Sequence, residues 1–173
     1  MAFTLYSATI PSYLQILASM ARLIDKAESF CEVHSLQPDA LIEARLVDDM
    51  LPFAYQIKST AVHSIGAIEG VRKGRFAPDN TVPPATFAEL RAKIAGTVTA
   101  IETLDPDEIE TFIGRAMRFE FGDQHIDFLA EDFLLSFAQP NFYFHATTAY
   151  NILRLKGVEL GKRDFNGRVR KLK

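Results

Sequence analysis

The chain has a single cysteine, Cys31, among 173 residues, so it cannot form an internal disulfide. It also lacks a Gly-rich phosphate loop, a Cys-x-x-Cys pair and a nucleophile elbow, which are sequence signatures of several nucleotide, zinc and hydrolase sites. No segment reaches the roughly 18 uncharged apolar residues of a membrane span, and no basic segment precedes an apolar run at the N-terminus. These absences predict a cytoplasmic protein that does not bind a membrane.

The composition that remains is typical of one globular domain. Apolar residues make up 48% and charged residues 24%, and 14 Phe with no Trp predict a core packed with Phe side chains. The net charge of -3 gives no overall attraction to nucleic acid, so no nucleic-acid partner is expected. Residues 1–165 are predicted to form a single helical bundle domain. Residues 166–173 form a basic tail, interpreted as a solubilising or partner-binding segment.

Apolar residues that recur every three or four positions predict long amphipathic helices in the first half of the chain. The first helix extends through Cys31, with Thr9 as a possible N-cap and Pro11 in its first turn. The acidic residues Asp48 and Asp49, followed by Pro52, mark the start of the second long helix, which runs to about Arg72. Both helices are expected to bury one apolar face.

The second half of the chain predicts two more helices and a hairpin. The third helix begins at a capping box formed by Thr86 and Glu89. Alternation of apolar and polar residues across about positions 118–128 then predicts a small β-hairpin. The last helix covers about residues 131–156, and Pro140 is expected to bend or interrupt it because proline removes one backbone hydrogen bond.

A stripe of polar side chains lies on the predicted last helix. Asn141, His145 and Thr148 fall at positions i, i+4 and i+7, so their side chains project in one direction, away from the predicted solvent face. A buried amide, imidazole and hydroxyl require hydrogen-bond partners. We therefore expect Asn141 and His145 to be largely buried, hydrogen-bonded and directed at the second long helix. A purely structural role for a buried His145 remains an alternative.

A second polar stripe lies on the predicted second long helix. Gln56, Ser59 and His63 fall at positions i, i+3 and i+7 on a segment that is otherwise rich in Ala, Ile, Val and Leu. Two interpretations stay open for this stripe. It either faces solvent or lines a pocket together with the stripe on the last helix.

Two stretches carry a family resemblance: PNFYFHATTAYNILRLKG followed by VELGKRDF at residues 140–165, and RLVDDMLPFAYQI at residues 45–57. They resemble an uncharacterised, domain-of-unknown-function branch of the DinB/YfiT-like superfamily. With the predicted hairpin, the resemblance implies an all-α fold: a DinB-like four-helix bundle with a small β-hairpin before the last helix. It also implies a homodimer, because DinB-like bundles are often dimeric.

The resemblance further implies where a metal would lie. Many members of the superfamily hold a divalent metal with three histidines, one on the second long helix and two that are one turn apart on the fourth. His145 matches one of that pair and His63 is a candidate for the histidine of the second helix. The remaining position is Asn141, whose neutral amide is a poor ligand for a transition metal. A Zn or Ni ion bound by His145 and His63 is therefore a possibility, and the absence of a tightly bound metal is the favoured prediction.

Three classes of function follow. The favoured class is a small-molecule-binding bundle with an internal polar pocket lined by Asn141, His145, Thr148, His63 and Gln56. The first alternative is a metal-dependent hydrolase or thiol-dependent transferase, in which an ion activates a water or a thiol. The second alternative is a structural or interaction protein in which the polar stripe only fixes how the helices pack.

Overall fold

The computed structural model describes residues 3–172. Helices account for most of these residues, and one small sheet interrupts them. The helices, in chain order, are α1 (Leu5–Val33), α2 (Asp39–Ile42), α3 (Phe53–Ala61), the π-helical segment π1 (Val62–Gly66), α4 (Ala67–Lys73), α5 (Phe87–Glu102), α6 (Pro106–Glu110), α7 (Ala130–Asp132), the π-helical segment π2 (Phe133–Ala138), α8 (Gln139–Leu155) and α9 (Lys162–Asn166).

The first long helix begins earlier than the sequence predicts. Thr4 is its N-cap: the Thr4 hydroxyl accepts a hydrogen bond from the backbone N–H of Ser7 at 3.1 Å, and the Ser7 hydroxyl accepts one from the backbone N–H of Thr4 at 2.8 Å. The expectation that Thr9 caps the helix was wrong. Thr9 is buried one turn inside the helix, where its hydroxyl donates to the carbonyl of Leu5 at 2.8 Å. Pro11 consequently lies within the helix.

The predicted second long helix is built from three consecutive segments, α3, π1 and α4, with no loop between them. The helix begins after Pro52, whose extended backbone precedes Phe53. It ends at Gly74, which adopts a left-handed conformation with φ of 69°. Glycine suits this position because a side chain would strain a backbone with positive φ. The π-helical turn in the middle of this helix was not predicted.

The third helix has the predicted start. The hydroxyl of Thr86 accepts from the backbone N–H of Glu89 at 3.1 Å, and a carboxylate oxygen of Glu89 accepts from the backbone N–H of Thr86 at 3.2 Å. This reciprocal pair satisfies two backbone donors that a helix otherwise leaves free at its N-terminus. The capping-box prediction is confirmed.

The predicted hairpin is present and belongs to a three-stranded sheet. Strands β2 (Ala116–Phe121) and β3 (Gln124–Leu129) pair antiparallel, with Phe119 opposite Ile126. A short strand β1 (Arg75–Phe76) pairs in parallel with β2 and was not predicted, because two residues are too few to reveal an alternating pattern. The sheet holds Phe76 and Phe119 side by side, since these two residues are register partners.

The last long helix is interrupted as predicted. It consists of α7, π2 and α8, and the π-helical segment ends just before Gln139 and Pro140. Proline has no N–H to continue an α-helical ladder and its ring crowds the carbonyl one turn earlier, so a wider turn at this point accommodates it. The interruption places Phe137 at the start of the face that carries Asn141 and His145.

The core is apolar and continuous. Helix α1 packs on α5, and α3 packs on α8, so that the four long helical elements form a bundle. Ile10, Leu17, Met20, Leu23 and Ile24 of α1 have no exposed surface. The prediction of an all-α four-helix bundle with a small hairpin before the last helix is confirmed. Within residues 3–172, no helix combines the length and apolarity needed to cross a membrane.

The C-terminal part of the chain packs against α1. The side-chain amide of Gln15 donates to the carbonyl of Asn166 at 2.8 Å, and Lys26 forms an ion pair with Asp164 at 2.8 Å. Helix α9 is therefore attached to the bundle. The basic tail after residue 165 continues along the same side, where Arg170 donates to the hydroxyl of Ser12 at 3.3 Å. The predicted division between domain and tail stays a prediction.

Candidate functional site

A cavity of about 330 Å³ lies between the second and last long helices and under the sheet. Its walls combine aromatic rings with a small number of polar groups, which is the usual composition of a small-molecule pocket. The lining residues are Tyr55, Ser59, Val62, His63, Phe76, Pro78, Asp79, Phe119, Phe121, Phe137, Asn141 and His145.

Helical spacing accounts for the two long walls of this pocket. Tyr55, Ser59 and His63 are spaced four residues apart on α3 and π1, so they share one face. Phe137 and His145 likewise lie at i and i+8 on π2 and α8, with Asn141 between them. Two interpretations of the stripe on the second helix were open. Ser59 and His63 line the pocket, as the second of these interpretations predicted. Gln56 is buried behind this wall and contacts the pocket through His145.

The orientation of the His145 ring is set by a chain of two hydrogen bonds. The side-chain Nε2 of Gln56 donates to the carbonyl of Leu51 at 2.8 Å, which fixes the amide so that its oxygen Oε1 faces His145. The His145 Nδ1 lies 2.7 Å from that oxygen and must be the donor, because an amide oxygen only accepts. The neutral ring therefore carries its proton on Nδ1, and Nε2 keeps a free lone pair.

His63 lies beside His145 as a second neutral imidazole. The two ring centroids are 5.4 Å apart and the rings are nearly parallel, at 17°. Burial and, to a smaller extent, the neighbouring His145 together lower the pKa of His63 to about 4. Burial also lowers the pKa of His145 to about 4. Both rings are consequently uncharged near pH 7.

One nitrogen of His63 is left without a partner. Its Nδ1 is buried and has no hydrogen-bond partner within the described part of the chain. An unpaired buried N–H costs more than an unpaired acceptor in most settings, so the tautomer with hydrogen on Nε2 suits this site. His63 then differs from His145, whose proton is on Nδ1.

The remaining members of the last-helix stripe behave differently from His145. Asn141 lines the pocket and is half-buried, but its Nδ2 donates to the carbonyl of Phe137 on its own helix at 2.8 Å. Thr148 is buried and its hydroxyl donates to the carbonyl of Phe144 at 2.8 Å. Thr148 is not among the lining residues, so the structure does not bring this predicted site residue to the pocket. A hydroxyl in a helix commonly bonds to the carbonyl one turn earlier, which satisfies it without a partner helix.

A buried lysine secures the loop at one edge of the pocket. Lys58 is only 3% exposed, and its ammonium donates to the carbonyls of Asp79 at 2.7 Å and Thr81 at 2.6 Å. Desolvation acts to raise the pKa of Asp79, but hydrogen bonds from Thr81 and the charge of Lys58 outweigh it, so the pKa is lowered and the carboxylate is charged. No pattern in the sequence predicts that Lys58 is buried, since a lysine on a helix usually reaches solvent.

Aromatic rings form the remaining surface of the pocket. Phe119 of the sheet lies with its ring centroid 4.7 Å from that of Phe137, and Phe76 lies 5.5 Å from His63. Phe121 at the end of β2 also lines the pocket and is 63% exposed. The hairpin prediction located Phe119 and Phe121 on a strand, but it could not show that the strand covers the two histidines.

The residues present do not reproduce a three-histidine metal site. His145 and His63 face the same cavity, and the third position holds Asn141, whose amide is engaged with its own helix. In residues 3–172 no group of three or more His, Cys, Asp or Glu side chains is arranged to hold a metal ion. The two imidazoles alone offer too few ligands for the usual tetrahedral centre.

The four-helix bundle with a hairpin before its last helix defines the chain as a DinB-like protein. Its structure is similar to that of a DinB family member from Shewanella denitrificans, with a TM-score of 0.81 and 27% sequence identity over 98% of this chain and 95% of that one. Residues 5–166 match the family described as Domain of unknown function (DUF1993), and the chain belongs to that family. The comparison with curated proteins gave no match.

Proposed function

We propose that the protein binds a small molecule in the pocket between the second and last long helices. The observation that carries this proposal is the hydrogen-bond chain from Leu51 through Gln56 to His145. It holds one neutral imidazole in a fixed tautomer and directs a free lone pair away from the bonded amide. Such a fixed acceptor beside an apolar cavity orients a ligand without the need for a charge.

The ligand that fits this description has an apolar body and one hydrogen-bond donor. The rings of Phe76, Phe119 and Phe137 offer flat apolar surface, on which an aromatic or aliphatic group packs. The Nε2 of His145 then accepts a hydrogen bond from a hydroxyl, amine or thiol of the ligand. A volume of about 330 Å³ limits the ligand to the small end of the range seen for binding pockets.

A pair of probes tests this proposal. Benzyl alcohol carries one donor on an aromatic body, and toluene has the same body without the donor. The variant His145→Phe keeps an aromatic ring but removes the acceptor. We expect it to weaken binding of benzyl alcohol by roughly 3–10-fold, the value of one hydrogen bond, and to leave toluene unchanged.

The control for this experiment is His125→Phe, which changes an exposed histidine of the hairpin. Its binding of both probes should equal that of the unchanged protein. NMR chemical shifts locate the probe: those of Tyr55, Asn141 and His145 should move. If benzyl alcohol binds His145→Phe as tightly as the unchanged protein, the proposed acceptor is wrong.

The alternative is a metal-dependent enzyme, and one observation favours it. In a histidine that binds a metal, the N–H of the other ring nitrogen usually donates a hydrogen bond to a carbonyl or carboxylate. The Nδ1–H of His145 donates in this way to the side-chain carbonyl of Gln56. His145 and His63 would supply two ligands for Zn or Ni. Titration of the metal into the unchanged protein and into Asn141→His separates the proposals, because the variant should gain affinity only if the two histidines can share an ion. No gain would rule out this arrangement.

The assembly and the third class of function stay predictions. A homodimer should bury more than roughly 1,000 Å² in total, and light scattering at micromolar concentration should give twice the mass of one chain. A structural or interaction protein would bind neither the benzyl probes nor a metal in this pocket. The probe titrations therefore also decide whether the polar stripe is more than a packing feature.

A further inference from the structure

The described lining of the pocket includes one charged side chain. Among the lining residues that the structure describes, Asp79 is the one side chain that is charged near pH 7. His63 and His145 are neutral there, because burial holds the pKa of each at about 4. The other lining residues are apolar, aromatic or uncharged polar. The cavity therefore presents one carboxylate and several ring faces.

The two oxygens of Asp79 are used unequally. Oδ1 accepts from the backbone N–H of Thr81 at 2.9 Å and from the Thr81 hydroxyl at 2.6 Å, and it lies 3.5 Å from the Lys58 ammonium. The hydrogen bonds within residues 3–172 leave Oδ2 without a donor. Oδ1 of Asp79 thus holds the loop, while Oδ2 has no donor among the described residues.

Lys58 lies 3.5 Å from the Oδ1 of Asp79 and partly offsets its charge, but it presents no donor to the cavity. Its ammonium is not among the groups that line the pocket, and its side chain is 4% exposed. Its protons are directed at the carbonyls of Asp79 and Thr81, both in the loop. An anionic ligand would therefore meet a carboxylate and the lone pair of His145 without a free cationic donor.

We propose that the ligand of this pocket is an organic ammonium ion with an aromatic or aliphatic body, a deeper statement that rests on the proposed small-molecule function. The ammonium lies among Asp79, His145 and the ring faces of Phe119 and Phe137. A cation is attracted to the face of an aromatic ring, and the attraction grows when the cation is removed from water. The Oδ2 of Asp79 and the Nε2 of His145 each accept one of its N–H groups.

Three probes of one size and different charge test this inference. Benzylamine is cationic near neutral pH, benzyl alcohol is neutral and benzoate is anionic. We expect benzylamine to bind about 10-fold more tightly than benzyl alcohol, as one carboxylate contact and one cation–π contact imply, and benzoate to bind more weakly than either. The preference for benzylamine should decrease when the salt concentration is raised.

The variant Asp79→Asn removes the charge and keeps the shape. An asparagine oxygen can still accept both hydrogen bonds from Thr81, so the loop should remain in place. Benzylamine should lose most of its advantage, about 5–10-fold, whereas benzyl alcohol should bind within about 2-fold of its original affinity. Asp49→Asn is the matched control, since it removes the same charge from an exposed residue that does not line the pocket.

Each outcome of this experiment decides a different point. If benzyl alcohol binds and benzylamine binds no more tightly, the ammonium inference fails and the small-molecule function stands. If benzoate binds most tightly, the inference is overturned as well. If Asp79→Asn keeps the full preference for benzylamine, Asp79 is not the site of the ammonium and the inference fails. If none of the three probes binds, both proposals fail.

Discussion

The two sides of the helical bundle differ in where some of their buried polar side chains find hydrogen-bond partners. On the side of α1 and α5, the hydroxyls of Thr9, Ser19 and Thr97 donate to carbonyls of their own helix. On the side of α3 and α8, Gln56 bonds to the other helix and Lys58 bonds to a loop. Buried hydroxyls of the second side, such as that of Thr148, also bond within their own helix, so the difference lies in Gln56 and Lys58, which bond between elements.

This difference distinguishes the packed core at α1 and α5 from the cavity walls at α3 and α8. A hydroxyl that bonds within its helix leaves the interface to apolar side chains, so the α1 and α5 side forms a closed core. Polar groups that bond between helices hold the walls of a cavity at fixed positions. Both π-helical segments also belong to the pocket side, where they carry His63 and Phe137. Such segments often occur at functional sites.

The largest predicted effect tests the closed side of the bundle. Leu17 of α1 has no exposed surface, and Leu17→Ala should lower the free energy of unfolding by about 2–5 kcal/mol through lost burial and a new cavity. Phe121→Ala on the pocket side removes a larger side chain that is 63% exposed, and it should cost less than about 1 kcal/mol. Urea unfolding measures both. Equal costs would remove the contrast between the two sides.

The second prediction concerns acid and the pocket side. The pKa of His63 and of His145 is about 4 in the folded protein, against about 6.5 in an unfolded chain. The unfolded state therefore takes up protons first as the pH falls, so stability should be lost between about pH 6.5 and pH 4. A shift of this size corresponds to about 3 kcal/mol per ring, and local opening of the pocket should reduce the total for the pair to on the order of 3 kcal/mol.

Carboxylates also titrate at low pH, so this effect must be isolated. The double variant His63→Phe/His145→Phe should show a flatter dependence of stability on pH between 6.5 and 4 than the unchanged protein. The exposed His125→Phe should keep the original dependence. Identical curves for the double variant and the unchanged protein would contradict the burial of neutral imidazoles.

A smaller effect tests the contact between the two helices of the pocket. Gln56→Leu keeps an apolar body of similar size but removes the amide that joins Leu51 to His145. It should cost about 1–3 kcal/mol, because the Nδ1–H of His145 loses its acceptor. The cost should be lower in a His145→Phe background, where no donor is stranded. Additive costs in that double-mutant cycle would mean that the two side chains do not interact.

Local signals in the sequence predicted much of the fold. The capping box at Thr86, the alternating pattern of the hairpin and the interruption near Pro140 each depend on neighbouring residues, so the printed sequence contains them. The exact start of α1 was less accessible, because both Thr4 and Thr9 are suitable caps. Strand β1 is too short for a periodic signal.

The site was only partly predictable for a different reason. Spacing alone placed Asn141, His145 and Thr148 on one face, but it could not show that Thr148 and Asn141 bond within their own helix. The pairing of Gln56 with His145 depends on how two helices are rotated toward each other. The buried position of Lys58 depends on a loop more than 20 residues later, which no helical period encodes.

The tautomer of His145 is the most direct test of the proposed site. Nitrogen NMR of the imidazole rings distinguishes protonated from unprotonated ring nitrogens as the pH is lowered. The proposed site requires a protonated Nδ1 and an unprotonated Nε2 at pH 7, with the ring staying neutral until the pH approaches about 4. A proton on Nε2 at pH 7, or a titration near the ordinary value of 6.5, would contradict it.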